Sequence, residues 1–249
     1  MTVAVIVPTF NRAALLQQAL RSVLSQPVPG GVAVIVVDDG STDETAAVLA
    51  AGADPRVRVI FQRNSGVSAA RNAGLGALPE GVEFVTFLDS DDVFPVGRLA
   101  EDLARLRAAP QAGYTYGRMC YVDEISPETL RPAAGARTVT LHGIQLGCGL
   151  YRRALIDRIG PFAPDMTHGE DTDYLFRLYE TGAAFVQHDD ISLYYRRHTN
   201  NVTNQTDLNR RGFARALMRS MQRRRADPSL GWSMPDFALQ PRPEEGGSA

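Results

Sequence analysis

An alternation of two hydrophobic periodicities over the first 110 residues constrains the fold more than any other feature. Short, nearly continuous runs rich in valine and isoleucine are typical of strands buried on both faces of a sheet. Longer stretches with helical periodicity lie between them. This order predicts parallel strands joined by right-handed crossovers, hence an α/β sheet. We expect strands at Val3–Val7, Ala33–Val37, Val57–Phe61 and Phe84–Leu88, and helices at Ala13–Ser25, Asp43–Ala51 and Val67–Leu75.

The remainder of the chain is less regular but carries the same two kinds of pattern. Strands are expected at Gly113–Val122, Ala136–Val139, Ala183–Gln187 and Ile191–Arg197, and helices at Arg152–Arg158 and Glu170–Glu180. No linker precedes Asp227, after which proline, glycine, serine and acidic residues dominate, as is typical of disorder. We therefore expect one domain over residues 1–226 and a disordered tail over residues 227–249.

Composition excludes several classes of function. A net charge of -2 argues against a general nucleic-acid binder, which is usually basic. All 26 basic residues are arginine, so Schiff-base and P-loop chemistry, which need a lysine, are excluded. No run reaches the roughly 18 apolar residues of a membrane span, and the N-terminus lacks the features of a signal peptide. We expect a cytoplasmic location.

Polar clusters follow three of the predicted strands at their carboxyl ends, where open parallel sheets bind ligands. A turn with a helix cap explains any one cluster. It does not require four carboxylates directly after two buried strands, where their repulsion is unfavourable. The crowding indicates a cation, or a ligand that donates hydrogen bonds, at this edge of the sheet. The clusters are Pro8-Thr9-Phe10-Asn11-Arg12, Asp38-Asp39-Gly40-Ser41 and Asp89-Ser90-Asp91-Asp92.

The chemistry of these clusters points to a metal-bridged phosphate group. Neither a GxGxxG fingerprint nor a P-loop follows the first strand, so no glycine loop is present to hold phosphate. Carboxylates near an anion then need a metal between them. Asp89-Ser90-Asp91, a DXD sequence, supplies the hard oxygen ligands that suit Mn²⁺ or Mg²⁺ and would hold a diphosphate through the metal.

Six segments taken together resemble family 2 glycosyltransferases with the GT-A fold. Each is loose alone, but their order over roughly residues 2–205 is specific. The resemblance implies an α/β fold with a central, mostly parallel sheet flanked by helices. Residues 1–110 would form the nucleotide-binding half, 111–205 the acceptor half and 206–226 a C-terminal basic helix. The segments are Val5–Arg12, Val37–Asp43, Asn64–Asn72, Phe87–Asp92, Gly169–Asp171 and Tyr195–His198.

The resemblance also implies roles for individual residues. Thr9 and Asp39 would line the nucleobase pocket, with Asp39 accepting a hydrogen bond from the base. Arg71 would lie beside the base and diphosphate, and Asp89 near the ribose. The full nucleotide-sugar site would comprise Pro8, Thr9, Asn11, Asp39, Arg71, Asp89 and Ser90.

The metal and the catalytic base are implied in the same way. Asp91 would bind Mn²⁺ or Mg²⁺, and His198 would be a further contact of the metal or the diphosphate. Asp171 would be the base of an inverting reaction, deprotonating the acceptor as it attacks the anomeric carbon. A simpler interpretation of Asp171 stays open, because acidic residues also stabilise helix N-termini.

Three functions are compatible with these features. The first is transfer of a hexosyl or related sugar from a nucleoside diphosphate to an acceptor hydroxyl or amine. An Asp39 acceptor suits the N3–H of a pyrimidine and favours a UDP- or dTDP-sugar, although the N1–H of guanine also fits. The second is an inactive nucleotide-sugar-binding module. The third, a nucleotidyltransferase, is less favoured because the glycine-rich, lysine-containing loop is missing. Candidate acceptors are a glycan, a lipid-linked molecule and a small molecule.

Residues 210–225, RRGFARALMRSMQRRR, predict a basic amphipathic helix. Phe213, Leu217 and Met221 form an apolar stripe with Ala214 and Met218, opposite a set of arginines. Such a helix can lie on an anionic membrane surface, which would place the enzyme at the inner face of the membrane. Alternatively, the stripe packs on the catalytic domain and the arginines are merely solvated. The second interpretation is favoured, because ordinary packing requires a stripe of this size.

Overall fold

The computed structural model describes residues 1–198 and 206–237. These residues form an eight-stranded sheet flanked by helices, with strand order β3-β2-β1-β4-β7-β5-β6 and β8 paired with β5. The strands are β1 (Val3–Thr9), β2 (Val32–Asp38), β3 (Val57–Phe61), β4 (Phe84–Phe87), β5 (Ala112–Val122), β6 (Thr138–Leu141), β7 (Gly149–Arg152) and β8 (Ala184–Arg196). The helices are α1 (Ala13–Leu24), α2 (Thr45–Ala51), α3 (Val67–Gly76), α4 (Arg98–Ala108), α5 (Arg153–Ile159), α6 (Glu170–Glu180) and α7 (Thr206–Ala226).

The first half of the sheet is parallel, as the hydrophobic runs predict. β1 pairs in parallel with β2 and β4, and β2 pairs in parallel with β3. All residues of β1, β2 and β4 are buried, which explains why these runs are almost continuously apolar. The predicted α/β sheet is therefore confirmed. Because Thr9 is in register with Asp38, the carboxyl ends of β1 and β2 meet at one edge.

The second half mixes strand directions and differs from the sequence-based prediction. β7 is antiparallel to both β4 and β5, whereas β8 is parallel to β5. The two predicted closing strands form one strand, β8. Its polar middle stays paired with β5 because the pairing shifts register there. The prediction also lacked β7 and α4. β7 is only four residues long, and α4 buries Leu99, Leu103 and Leu106 within a charged sequence.

Helix α7 packs on α6 through small residues, and the predicted packing stripe is wrong. Its buried residues are Gly212, Ala216 and Ser220. A Cβ on Gly212 would lie 2.6 Å from the carbonyl oxygen of His168, so glycine is required for this approach. Phe213 and Met218 are 45% and 56% exposed. The helix thus docks through its small-residue face and leaves most of the apolar stripe partly exposed, although the Phe213 ring packs edge-on against Phe176 of α6.

The arginines of α7 are not merely solvated, which corrects the second half of that interpretation. Arg223 donates to both carboxylate oxygens of Glu180 and to Asp173, and both acceptors are buried. Arg215 and Arg219 pair with Asp165 on the loop before α6. Buried partners make the Arg223 pairs the more important of these contacts, because exposed ion pairs contribute little. No helix among the described residues has the length and apolar content needed to cross a bilayer.

A Gly212→Ala substitution is expected to destabilise the protein although alanine is the better helix former. The added Cβ meets backbone at 2.6 Å, and overpacking of this kind costs about 1–3 kcal/mol, only partly offset by helix propensity. Urea denaturation measures the loss. Gly76→Ala in α3 is the matched control, since a Cβ there meets nothing within 4 Å. Equal stability of the two variants would contradict the close α6–α7 packing.

Residues 227–237 contact the domain, contrary to the expectation of disorder. The Ser233 amide donates to the Tyr179 carbonyl at 3.0 Å. The Arg224 guanidinium lies over the Trp232 ring, with its Cζ atom 4.3 Å from the ring centroid. Aromatic side chains offset the polar composition of this segment by packing against α6 and α7. Residues 238–249, the rest of the predicted tail, lie outside the described residues.

Candidate functional site

The polar residues predicted to share one edge of the sheet meet there. Thr9 ends β1, Asp38 ends β2, and Asp89 follows β4 closely. The Asp39 amide donates to the Thr9 carbonyl at 2.9 Å, which joins the first two strand ends. The hydroxyl of Thr9 is buried and has no hydrogen-bond partner within the part of the chain that the structure describes. A buried, unpaired hydroxyl is unfavourable without a ligand, so its position fits a binding pocket. Pro8 lies buried in β1 beside it.

Asn11 connects the loops that follow β1 and β2. Its side-chain oxygen accepts from the amide of Thr42 at 2.8 Å and from that of Asp43 at 3.3 Å. Its own amide donates to Ser41 Oγ at 2.9 Å. Asn11 has a φ of 50°, a left-handed conformation that asparagine tolerates better than most residues. These contacts hold the two loops of the predicted nucleotide site together.

Asp39 organises the loop between β3 and α3. Its Oδ1 accepts from Gln62 Nε2 at 2.7 Å and from the Ser65 amide at 2.8 Å. Its Oδ2 accepts from the Gly66 amide at 2.8 Å. A carboxylate has about four acceptor positions, so one remains for a ligand. Gln62 has no predicted role in the sequence analysis, and only the folded loop brings it to Asp39.

Arg71 links the strand edge to helix α6. Its guanidinium donates to Asp89 Oδ1 at 2.9 Å and to Glu170 Oε1 at 2.8 Å, and the residue is only 3% exposed. Burial alone would lower the pKa of Arg71, but Asp89, Glu170 and Asp171 together raise it above its usual range. The charge of Arg71 is therefore permanent. Glu170 precedes Asp171 in the chain, so its contact with Arg71 connects the arginine to the start of α6. No role was predicted for Glu170 from the sequence.

Asp171 has a strongly perturbed carboxyl group next to Glu170. It lies in the first turn of α6 and is partly buried. Burial raises the pKa of Asp171 from 3.8 to about 7; the charge of Glu170 adds to the rise, and Arg71 opposes it. Its Oδ1 accepts from the Thr172 amide at 2.7 Å. A carboxyl group with a pKa near neutrality is suited to take and release protons.

Asp91 and His198 are brought together from distant parts of the chain. Asp91 Oδ2 lies 3.0 Å from His198 Nε2 and 3.7 Å from Arg12 Nε. Both members of the pair are partly exposed, with side-chain exposures of 19% and 22%. The two predicted metal contacts therefore share one place. Arg12 also reaches it, a contact that the sequence analysis did not predict.

The neighbours of Asp91 are buried and support the loop. Ser90 is buried. Asp92 accepts from the Arg196 amide at 2.9 Å. Burial raises the pKa of Asp92, and the charges of Asp91 and Asp89 raise it further. Arg196 Nε donates to the Asp91 carbonyl at 3.0 Å, so the end of β8 holds this loop from a second side.

The Asp91–His198 pair fits a divalent cation that takes only two ligands from the protein. Over residues 1–198 and 206–237, no group of three or more His, Cys, Asp and Glu side chains is arranged to hold a metal ion. Mg²⁺ and similar cations are commonly held by one or two carboxylates, with substrate phosphates and water completing the shell. A carboxylate and an imidazole are ligands that Mn²⁺ accepts. A metal ion at this pair would therefore need phosphate or water oxygens to complete its coordination shell.

A narrow recess adjoins this edge of the sheet on the side of β7 and β8. Gln145, only 8% exposed, contributes to its wall, although no sequence motif marks this residue. Its backbone is fixed by the Tyr116 hydroxyl, which lies 2.9 Å from the Gln145 amide. The recess is lined by Phe87, Asp89, Asp92, Gln145, Leu146, Gly147 and Leu193.

Comparison with known sequences identifies a family and several relatives. The sequence model described as "Glycosyl transferase family 2" matches residues 4–164. Succinoglycan biosynthesis protein ExoU of Rhizobium meliloti (strain 1021) is 31% identical in an alignment 207 residues long that covers 74% of this chain and 58% of that protein. An uncharacterized glycosyltransferase of Nostoc sp. is 30% identical in an alignment 179 residues long that covers 66% of this chain and 55% of that protein. The chain thus spans a little over half of each of these relatives.

Solved structures share the fold. S. aureus TarS 1–349 in complex with UDP-GlcNAc matches with a TM-score of 0.70 at 22% identity, covering 88% of this chain and 65% of that one. Mannosyltransferase PcManGT from Pyrobaculum calidifontis, in complex with GDP-Man and Mn²⁺, matches with a TM-score of 0.66 at 20% identity, covering 88% and 64%. Because the family model covers more than half of the chain and these folds agree, the chain belongs to glycosyl transferase family 2 and has the GT-A fold.

Proposed function

We propose that the protein is an inverting, metal-dependent glycosyltransferase that moves a sugar from a UDP- or dTDP-sugar to an acceptor hydroxyl or amine. The observation that carries the proposal is the chain of contacts from Asp89 through Arg71 to Glu170, the residue next to Asp171. It joins the edge where a nucleotide would bind to a carboxyl group whose pKa is raised to about 7. A donor site and a proton acceptor adjoining in this way serve group transfer.

Asp171 is proposed as the general base. At neutral pH about half of its carboxyl groups would be ionised, and an ionised Asp171 would accept the acceptor's proton as the oxygen or nitrogen attacks the anomeric carbon. The sugar–phosphate bond breaks on the opposite face and the diphosphate leaves, so the anomeric configuration inverts. Glu170 raises the proton affinity of Asp171, and the fixed charge of Arg71 limits that rise.

The donor is proposed to lie across the carboxyl ends of β1, β2 and β4. Thr9 and Asp39 would meet the base, where the remaining acceptor position of Asp39 suits a pyrimidine N3–H. Pro8 and Asn11 would shape the same pocket, and Ser90 and Asp89 would lie near the ribose. Asp91 and His198 would hold Mn²⁺ or Mg²⁺. When bound, this ion would neutralise charge on the leaving diphosphate.

Two structures of the same fold support a nucleotide-sugar donor, and one of them supports a metal. TarS 1–349 is in complex with UDP-GlcNAc, and PcManGT is in complex with GDP-Man and Mn²⁺. The second shows that the fold also accepts a guanine nucleotide. Base preference in this chain is therefore proposed from the Asp39 pocket and is open to direct measurement.

A thermal-shift panel of nucleoside diphosphates, with and without Mn²⁺, tests the proposal. UDP or dTDP with Mn²⁺ is expected to raise Tm by roughly 5–10 °C at about a hundred times Kd, because a ligand stabilises the state that binds it. GDP and ADP are the matched comparisons. A shift with GDP alone would overturn the pyrimidine preference, and no shift with any nucleotide would overturn the donor site.

A catalytic assay separates this function from its competitors. An inactive nucleotide-sugar-binding module would show the thermal shift but no sugar transfer and no donor hydrolysis. A nucleotidyltransferase would release pyrophosphate from a nucleoside triphosphate. The perturbed pKa of Asp171 favours the transferase, since a binding module gains nothing from a desolvated carboxyl group at this position.

A further inference from the structure

We propose that the outer face of α7 binds an anionic lipid surface and thereby brings the catalytic site to a lipid-linked acceptor. The outer face consists of three apolar residues, Leu217, Met218 and Met221, and three arginines, Arg210, Arg211 and Arg225. The binding surface stands on its own observations. Only the acceptor class rests on the proposed function.

The apolar part of this face is exposed because α7 docks through its opposite side. Gly212, Ala216 and Ser220 recur every four residues and are buried against α6, so residues half a turn away point outward. Leu217, Met218 and Met221 are 38%, 56% and 41% exposed. A helix that packs through small residues does not need these large apolar side chains for folding. Their exposure is typical of a surface that meets a partner.

The charges on the face favour an anionic lipid surface as that partner. Arg210, Arg211 and Arg225 are exposed beside the apolar residues. Helix α7 has one exposed acidic residue, Asp207 in its first turn, and none between Leu208 and Ala226, so basic residues dominate the helix. Apolar side chains that enter the lipid boundary, flanked by arginines that meet phosphates, are the pattern of a helix lying in a membrane interface.

A second copy of the chain is a poorer occupant for the same reason. Pairing two outer faces would bring the arginines of both copies together without acidic residues to compensate them within 208–226. Like charges in contact oppose such an interface. A lipid surface supplies phosphates to all of them at once.

The outer face lies on the helix that contacts the catalytic loop. A Cβ on Gly169 would lie 2.7 Å from the carbonyl carbon of Gly212, so the two backbones touch. Gly169 immediately precedes Glu170 and Asp171. Helix α7 is about 10–12 Å across with its side chains, so a membrane against its outer face would lie about one helix diameter from this loop. A membrane bound at the outer face would therefore hold lipid-linked acceptors near the loop that carries Asp171.

Vesicle co-sedimentation tests the surface directly. The intact chain is expected to bind vesicles of phosphatidylglycerol and phosphatidylcholine at low salt, to bind pure phosphatidylcholine far less, and to release at high salt. Arg210→Glu/Arg211→Glu, and separately Leu217→Ser/Met218→Ser/Met221→Ser, are each expected to weaken binding about tenfold or more. Circular dichroism melts of each variant verify that α7 still folds.

Two control variants change residues of the same kinds elsewhere. Arg107→Glu reverses an exposed arginine on α4, and Val96→Ser removes an apolar side chain that is 60% exposed. Both are expected to bind vesicles as the unsubstituted protein does. Equal loss in the controls, or unchanged binding in the α7 variants, would overturn the proposal. So would absence of vesicle binding combined with self-association that the α7 substitutions abolish in sedimentation velocity.

Nucleotide binding separates this inference from the proposed function. The α7 variants are expected to keep the full thermal shift with UDP or dTDP and Mn²⁺, since the outer face lies apart from the strand edge. If no nucleotide shifts the unsubstituted protein while vesicle binding behaves as described, the lipid surface stands and the transferase assignment fails. If a nucleotide shifts Tm but the protein does not bind vesicles, the donor site stands and the lipid surface fails.

Discussion

An Asp171→Asn variant is expected to transfer sugar about 100-fold more slowly or worse, the usual scale for loss of a general base. Asparagine keeps the size of the side chain but cannot take a proton. Donor affinity is expected to change little, because among the described residues the hydrogen bonds of Asp171 go to Thr172 and not to the donor edge. Steady-state kinetics therefore should show the loss in kcat. Asp165→Asn, on the exposed loop before α6, is the matched control and is expected to retain full turnover.

The pH dependence gives a second measurement of the same residue. The base acts when ionised, so kcat/KM of the unsubstituted protein is expected to fall as the pH drops through about 7. Glu170→Gln removes the charge that helps to raise this pKa, and the acid side of the profile is expected to move to lower pH. A profile unaffected by Glu170→Gln, or a collapse of donor affinity in Asp171→Asn with normal turnover, would make Asp171 a donor-site or structural residue.

As the pH rises, the ionisation of Asp171 is expected to increase activity but to lower the stability of the fold. Folding raises the pKa of Asp171 from 3.8 to about 7, so the folded protein binds this proton more tightly than the unfolded chain. Its contribution to the free energy of unfolding is complete below about pH 4 and is lost as the pH rises to about 7. An asparagine at position 171 does not ionise, so Asp171→Asn does not lose this stability as the pH rises. The difference in Tm between the variant and the unsubstituted protein is therefore expected to shift in favour of the variant between pH 4 and pH 8.

An Asp91→Asn variant is expected to lose Mn²⁺-dependent binding of UDP or dTDP while its fold remains intact. A neutral amide is a much weaker ligand for a hard cation than a carboxylate, and His198 alone would not hold the ion against water. Isothermal titration with the nucleotide, with Mn²⁺ and then with a chelator, measures the effect. We expect the affinity of the unsubstituted protein to fall on chelation, and that of the variant to be low in both conditions.

The neighbouring carboxyl group provides the control for the metal site. Asp92 is buried and accepts from the Arg196 amide, a role that asparagine can fill with its side-chain oxygen. Asp92→Asn is therefore expected to retain Mn²⁺-dependent binding. Unchanged affinity and activity in Asp91→Asn would exclude Asp91 as a ligand. Equal loss in both variants would instead point to a general disturbance of the loop that holds Ser90.

Local sequence patterns predicted the parallel half of the sheet because each strand of it is buried on both faces. β1 and β2 are fully buried, and a strand in that setting must be apolar at almost every position. The same pattern located the polar residues at the strand ends. α4 and β7 were not predicted because neither has such a continuous apolar pattern. α4 is rich in charges, and β7 is too short for a periodicity to show.

What the sequence determined by itself is therefore the α/β class, the edge at which Thr9, Asp39 and Asp89 lie, and the family motifs. Tertiary structure alone decided which residues act on one another. Arg71 meets Glu170 across 99 positions, and Asp91 meets His198 across 107. The pKa of Asp171 depends on burial that no local pattern encodes. Periodicity likewise found the amphipathic stripe of α7 but chose the wrong docking face. Complementary backbones at Gly169 and Gly212 set that face, because only surfaces lacking Cβ atoms can approach so closely.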